Sequence, residues 1–231
     1  MTILRSEERG KTQIAWLESR HSFSFGEYYD PQQMAFRSLR VINDDKVAPG
    51  MGFGTHPHRD MEILTYMISG ELQHRDSMGN GRIIRQGELQ AMTAGSGITH
   101  SEFNPSRTTP AHLLQIWIMP AQRGLTPSYA EWKPPVDGEG NELTLLASPT
   151  AEDSSVLINQ DVRLFLGKVD TGRTITHRLQ PNRAAWLHLI SGELEVSGER
   201  LFPGDAIAIE QAEELKISTG NPSEFLLFDL A

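Results

Sequence analysis

One five-residue segment occurs twice in this chain. Ile68-Ser69-Gly70-Glu71-Leu72 returns as Ile190-Ser191-Gly192-Glu193-Leu194, at an offset of 122. Gly87-Glu88 then matches Gly204-Asp205, and Asn104-Pro105 matches Asn221-Pro222, both at an offset of 117. Three matches in one order mean that two halves share one plan. The five lost residues lie between the first and second matches. There the loop Asp76-Ser77-Met78-Gly79-Asn80-Gly81 is longer than its partner near Val196-Ser197-Gly198-Glu199. The second half therefore has the shorter hairpin.

The local patterns within each half are those of strands. Glu62 to Ile68 and Ala185 to Ile190 are rich in β-branched and aromatic residues, which suit a pleated, half-buried surface. Gly70, Gly87, Gly95, Gly97, Gly192, Gly198 and Gly204 punctuate them at short intervals. Many short strands with regular turns predict an all-β barrel or sandwich in each half. Asn104-Pro105 and Asn221-Pro222 each end a strand, because proline cannot donate to a ladder. Prolines 120, 127, 134, 135 and 149 mark a connection between the halves. We place a first domain at 1–125 and a second, with the linker, at 126–231. The expected architecture is two stacked β-barrels of related topology.

Composition narrows the class. With 231 residues the chain suits one large or two small domains. A hydrophobic fraction of 38% is enough for a packed core, and no apolar run approaches the ~20 residues of a spanning helix. The chain has no cysteine, which excludes a thiolate metal site, a thiol nucleophile and a disulfide framework. A net charge of −9 argues against a broad nucleic-acid footprint. The opening residues MTILRSEERGKT are charged and carry no apolar signal core. A cytoplasmic protein that does not bind membrane or nucleic acid directly is the expectation.

The histidines point to chemistry. His56-Pro57-His58 and His100-Ser101-Glu102 both place potential ligands at i and i+2, and four of the eight histidines fall in this stretch. On a strand, such residues share a face. Two strands facing each other inside a barrel bring three imidazoles and one carboxylate around a point. That set suits a divalent transition metal and leaves coordination positions open. The duplication offers a comparison. At an offset of 122, His56 and His58 fall on Arg178 and Gln180; at 117, His100 and Glu102 fall on Ile217 and Thr219. His177 lies one place off register, which would turn it to the opposite face. The second half is expected to be metal-free.

These residues resemble the cupin superfamily and, within it, the pirin family. Gly50, His56, His58 and Glu62 are similar to the first cupin motif, and Gly87, His100 and Asn104 to the second. The strings HSFSFGEYYDP (His21 to Pro31), THPHRDMEILTY (Thr55 to Tyr66) and MTAGSGITHSEFN (Met92 to Asn104) resemble pirins more specifically. The resemblance is strong in the first half and general in the second. It implies a bicupin of two double-stranded β-helix (jelly-roll) barrels. It implies an ion held by His56, His58, His100 and Glu102, with Glu62 not a ligand. Iron(II) is the first choice of metal; zinc, manganese, nickel, copper and cobalt are the others, zinc lacking redox chemistry. Bacterial pirins with quercetin 2,3-dioxygenase activity imply a flavonol-like aromatic substrate and O2. Opening the ring needs the 3-hydroxyl deprotonated, and Glu102 is the candidate catalytic base. Pirins of other lineages imply an alternative, a non-catalytic metal-binding regulator with a protein partner. Another cupin reaction, such as decarboxylation or isomerisation, is a third.

Other residues have weaker claims. His74 either lines the cavity or is a hydrogen-bonded surface residue. His21 is expected to pack between the barrel wall and the N-terminal strand. His112 and His188 read as core or surface groups. Phe53, Met92 and Phe103 read as core, with a pocket wall as the other reading. Glu62 could accept a hydrogen bond from a ligand histidine. Arg59-Asp60 is expected as a surface pair, and Glu139, Glu142, Glu152 and Asp153 as a solvated face.

Overall fold

The computed structural model describes residues 1–135 and 143–231. Glu139 and Glu142 therefore lie outside the described residues. Among the described residues every element is a strand except two 3-10 turns, Ser6–Glu8 and Glu152–Ser154. The protein is all-β, as its alternation and glycine punctuation predict. Glu152 and Asp153 are exposed, and Glu152 pairs with Arg163 at 2.9 Å.

The chain forms two compact units. One comprises Gly10–Pro134 and Val156–Gln160; the other comprises Met1–Arg9, Pro135–Ser155 and Asp161–Ala231. The sequence places the division at 125/126, and the strand pairing shows why the units divide elsewhere. Ser128–Trp132 pairs antiparallel with Leu89–Thr93, so the first unit continues beyond residue 125. Thr2–Leu4 pairs with Ala206–Ile209, so the start of the chain belongs with the second half.

Each unit has a large sheet and a four-stranded one. In the first unit the large sheet runs Ser128–Trp132, Leu89–Thr93, Glu62–Ser69, Ala111–Ile118, Leu39–Val47, Leu17–His21, Gly10–Ile14. The small sheet runs Gly52–His58, Ile98–Phe103, Glu71–Asp76, Gly81–Arg85. Leu17, Val47, Met67 and Leu113 from the large sheet pack with Leu72 and Ile84 from the small one. In the second unit Ala206–Ile209, Ala184–Ser191, Ser223–Leu230 and Val162–Val169 adjoin in that order, and the small sheet runs Thr174–Arg178, Glu214–Thr219, Leu194–Val196, Glu199–Leu201. Leu187, Leu189, Ile207, Phe225 and Leu227 pack there with Leu194, Leu201, Leu215 and Ile217. Burial of these apolar side chains supplies most of the stabilisation, at roughly 1.5–3 kcal/mol per fully buried large side chain.

The repeats now have physical causes. Gly70 and Gly192 sit at φ +76° and +86°, a left-handed conformation that glycine adopts without strain. A Cβ on Gly70 would lie 2.6 Å from the Pro110 carbonyl oxygen, and one on Gly192 would lie 2.2 Å from Ser223 Oγ. The shortened hairpin joins Leu194–Val196 to Glu199–Leu201 through Ser197-Gly198, both at positive φ, as a two-residue I′ turn needs. Its longer counterpart is closed by Asp76 Oδ1, which accepts the Met78 and Asn80 amides at 2.9 and 3.0 Å.

One equivalence from the sequence is corrected. Ile98 faces His58 and His100 faces His56; in the second unit Leu215 faces His177 and Ile217 faces Ile175. The counterparts of His56 and His58 are therefore Ile175 and His177, not Arg178 and Gln180. The offset of 122 does not extend upstream, because six residues lie between His177 and Ala184 where three lie between His58 and Glu62. His177 is thus in register with His58. Its Nε2 lies 3.0 Å from Asp229 Oδ2, and Arg183 also binds that carboxylate.

Candidate metal centre

Gly52–His58 lies at the edge of the small sheet, where Pro57 is tolerated because no second neighbour needs its missing N–H. Beside it, Ile98–Phe103 carries His100 and Glu102. The i, i+2 spacing turns His56 and His58 to one face, and the pairing of His100 with His56 sets the third ring against them. The register then shifts between His100 and Glu102, which faces Phe53. This bulge brings the Gly54 carbonyl within 2.8 Å of His56 Nδ1.

The three rings converge through Nε2. His58 Nε2 and His56 Nε2 each lie 3.0 Å from His100 Nε2. His56 must donate its Nδ1 hydrogen to the Gly54 carbonyl, so its Nε2 holds a lone pair in the neutral ring. His100 Nε2 carries at most one hydrogen for its two partners. One of the two contacts therefore cannot be a hydrogen bond in any neutral tautomer, an arrangement that a cation resolves. Nitrogen ligands at about 2.1 Å, at right angles round one ion, stand about 3.0 Å apart. The donor set fits a metal. Burial, then the charges of His100 and His56, lowers the His58 pKa to about 4; burial, then His56 and His74, lowers that of His100 to about 3. Both rings are neutral near pH 7, the form that ligates.

Glu102 is 3% exposed. Gln115 Nε2 donates to its two oxygens at 3.2 and 3.0 Å, and Thr65 Oγ1 lies 3.4 Å from Oε1. The group of mutually close ligand atoms that holds the three imidazoles does not contain Glu102, which clusters instead with His74 and His100. His74 is neither a cavity wall nor a surface residue. It is fully buried, with Nε2 3.1 Å from Asp76 Oδ2 and its ring 5.3 Å from that of His100.

A cavity of about 380 Å³ opens on the centre, within the usual range for a small organic ligand. His56, His58, His100 and Glu102 line it together with Phe53, Ile63 and Trp117. Met92 is core, packed with Ile63, Ala94 and Ile98, and Phe103 is 40% exposed outside the lining. His21 is buried and lines the cavity, its Nε2 2.9 Å from Thr12 Oγ1. Glu62 serves no ligand histidine. It accepts from Thr93 at 3.0 Å and from the Asn159 backbone at 3.2 Å. Asp60 does not form a surface pair with Arg59 but accepts the Gly124 amide at 2.7 Å. His112 is a surface group paired with Asp44 at 2.6 Å, and His188 is buried. Sequence reading missed Thr65, Gln115 and Trp117. The available signal was a polar residue at the middle of an apolar run, Gln115 in LLQIWI and Thr65 in ILTYMI.

A two-sheet β unit with three histidines facing an open cavity defines a class, and comparison with known proteins gives the family. Residues 4–118 match the pirin model, and residues 145–230 match the model described as the quercetinase C-terminal cupin domain. The chain belongs to the pirin family. It is 44% identical to quercetin 2,3-dioxygenase of Escherichia coli K12, over 99% of this chain and 97% of that protein. It is similar to the crystal structure of bacterial pirin YhhW from Escherichia coli in complex with nickel(II), with a TM-score of 0.95 and 42% identity over 99% of this chain and 98% of that one. The formate complex of Lactobacillus farciminis oxalate decarboxylase, 14% identical with a TM-score of 0.71 over 98% and 85% of the two chains, shares the fold alone.

Proposed function

We propose that this protein is a metal-dependent dioxygenase that opens the central ring of quercetin-like flavonols with O2. The observation that carries this is the convergence of His56 and His58 Nε2, each 3.0 Å from His100 Nε2, on a cavity of about 380 Å³. The relatives' names supply the substrate class. His56, His58 and His100 would hold one divalent ion, with Glu102 as the fourth ligand, and iron(II) is our first choice of metal. When bound, the ion supplies a Lewis acid for the adjacent hydroxyl and carbonyl of the flavonol, and redox chemistry if it is iron, nickel, copper, manganese or cobalt.

The chain's own groups supply the rest. Glu102 takes the proton of the 3-hydroxyl. Gln115 and Thr65 hold its carboxylate in place, and their hydrogen bonds leave lone pairs on both oxygens. Trp117, its ring 5.0 Å from that of His58, and Phe53 keep water from the substrate's rings. The finer architecture we infer is a bicupin of two jelly-roll barrels. Its second barrel is metal-free, because Ile175, Ile217 and Thr219 stand in three of the four ligand positions. Oxygen uptake with quercetin tests the reading. Protein loaded with iron(II), nickel, copper, manganese or cobalt should consume O2, and metal-stripped or zinc-loaded protein should not. Stoichiometric metal with no turnover under any ion would leave a non-catalytic regulator instead.

A further inference from the structure

We propose that a polar row on the cavity floor is a second recognition subsite, which accepts a hydrogen bond from a hydroxyl at the far end of a planar aromatic ligand. The proposal rests on the reading above, in which the ligand's other end meets the His56, His58 and His100 centre.

Four adjacent strands of the large sheet carry the row. Thr65 faces Gln115, Gln115 faces Asn43, and Asn43 faces His21. Directly opposed residues point to the same side of a sheet. With strands about 4.8 Å apart, the row runs about 14 Å across the floor. All four side chains are buried, at 0%, 8%, 3% and 2% exposure in that order. One end is bound to Glu102 through Gln115 and Thr65. The other end is His21, within hydrogen-bonding distance of Thr12 on the last strand of the sheet.

The hydrogen bonds at that end have a direction. His21 Nδ1 lies 2.7 Å from Asn43 Oδ1, so Nδ1–H donates to the amide oxygen. In the neutral ring Nε2 is then the acceptor, and it takes the Thr12 hydroxyl hydrogen at 2.9 Å. Thr12 has only that hydrogen to give. Its oxygen keeps lone pairs, and Thr12 is half-buried in the cavity lining. What it offers a ligand is an acceptor. Glu27 and Asp45 line the same cavity, and no lysine or arginine does so among the described residues. An anionic group is therefore disfavoured at this end and a neutral donor, such as a phenolic hydroxyl, is favoured. The path between the two ends is walled by rings. His58 to Trp117 is 5.0 Å between centroids, Trp117 to Phe25 is 5.4 Å, and Phe25 to His21 is 5.5 Å. Such a wall suits a flat, aromatic body.

The test is binding without oxygen. Three flavonols with two, one or no hydroxyls on the pendant ring are titrated anaerobically into nickel-loaded protein, read by quenching of tryptophan fluorescence. Wild-type protein should bind the last about 3- to 10-fold more weakly than the first, the usual worth of one net hydrogen bond. Thr12→Val should flatten that series with the melting temperature and metal content unchanged, and Thr12→Ser should restore it. A flat wild-type series, or equal loss for all three ligands in Thr12→Val, would overturn the subsite. Failure of the dioxygenase reading looks different, since the binding series would persist while no flavonol is turned over in air. If none of the three bound, the flavonol class and the subsite would both be overturned.

Discussion

At the scale of the residue, the centre depends on where lone pairs point. His56 Nδ1 is committed to the Gly54 carbonyl at 2.8 Å, which aims its Nε2 at the ion position. Removing any one of the three rings leaves two imidazoles. His58→Ala should weaken metal binding at least ~10-fold, since changes one layer further out already cost that much; full metal content in the dialysed variant, by mass spectrometry, would refute the assignment. Glu102 tests the chemistry separately. Glu102→Gln keeps an oxygen donor and loses the base. Turnover of quercetin should fall about 10²–10⁴-fold at matched metal occupancy. Wild-type turnover in that variant would show that another group takes the proton. His56, His58 and His100 were legible from spacing alone, because a strand's period of two fixes which side chains share a face. Gln115 and Thr65, which hold Glu102, lie 13 and 37 residues away from it and carry no local motif.

At the scale of the element, the recurring glycines report backbone geometry. Gly192 and Gly198 both lie at positive φ, but only Gly192 is crowded. Gly198→Ala should cost about 1 kcal/mol, the penalty for a side chain in the left-handed region. Gly192→Ala should cost more, about 3 kcal/mol, because its Cβ must also displace Ser223 Oγ at 2.2 Å and the Pro222 carbonyl at 2.4 Å. Denaturant melts of the two variants check the ordering, and equal losses would refute it. The repeat was legible for the same reason: these turns tolerate one residue type, so the residue recurs. The loop before Ala184–Ser191 has no such constraint. The stretch from His177 to Ala184 holds three more residues than that from His58 to Glu62, and the register that carries His177 could not be read through it.

At the scale of the molecule, the ends of the chain matter to the second unit. Arg5 Nη1 binds Asp205 Oδ2 at 2.7 Å, and the Ser6 amide binds Asp205 Oδ1 at 2.8 Å, holding Thr2–Leu4 on the sheet. Deleting residues 1–9 should lower the melting temperature and promote association, because it bares the edge of Ala206–Ile209. Light scattering and calorimetry read both, and an unchanged particle size and melting temperature would refute it. Asp229 gives the pH dependence. Burial pushes its pKa up, but hydrogen bonds from His177 and Arg183 outweigh burial and hold it below the usual carboxylate value. A depressed folded-state pKa stabilises above the unfolded value and loses that contribution as pH falls through the folded one. Asp229→Asn should therefore cost about 3 kcal/mol at pH 7, and the gap to wild type should close as pH falls below about 4. A gap independent of pH would point to packing instead of charge.

The sequence by itself determined the all-β class, the two-fold plan and the three-histidine centre, because alternation, turn glycines and i, i+2 spacing act within a few residues. Only the tertiary structure decided where the units divide, which residue matches His58 in the second copy, and what holds Glu102. Those depend on which strands come to lie side by side. Strand pairing joins residues distant in sequence, and a single bulge or a loop of altered length changes the partner without changing the local pattern.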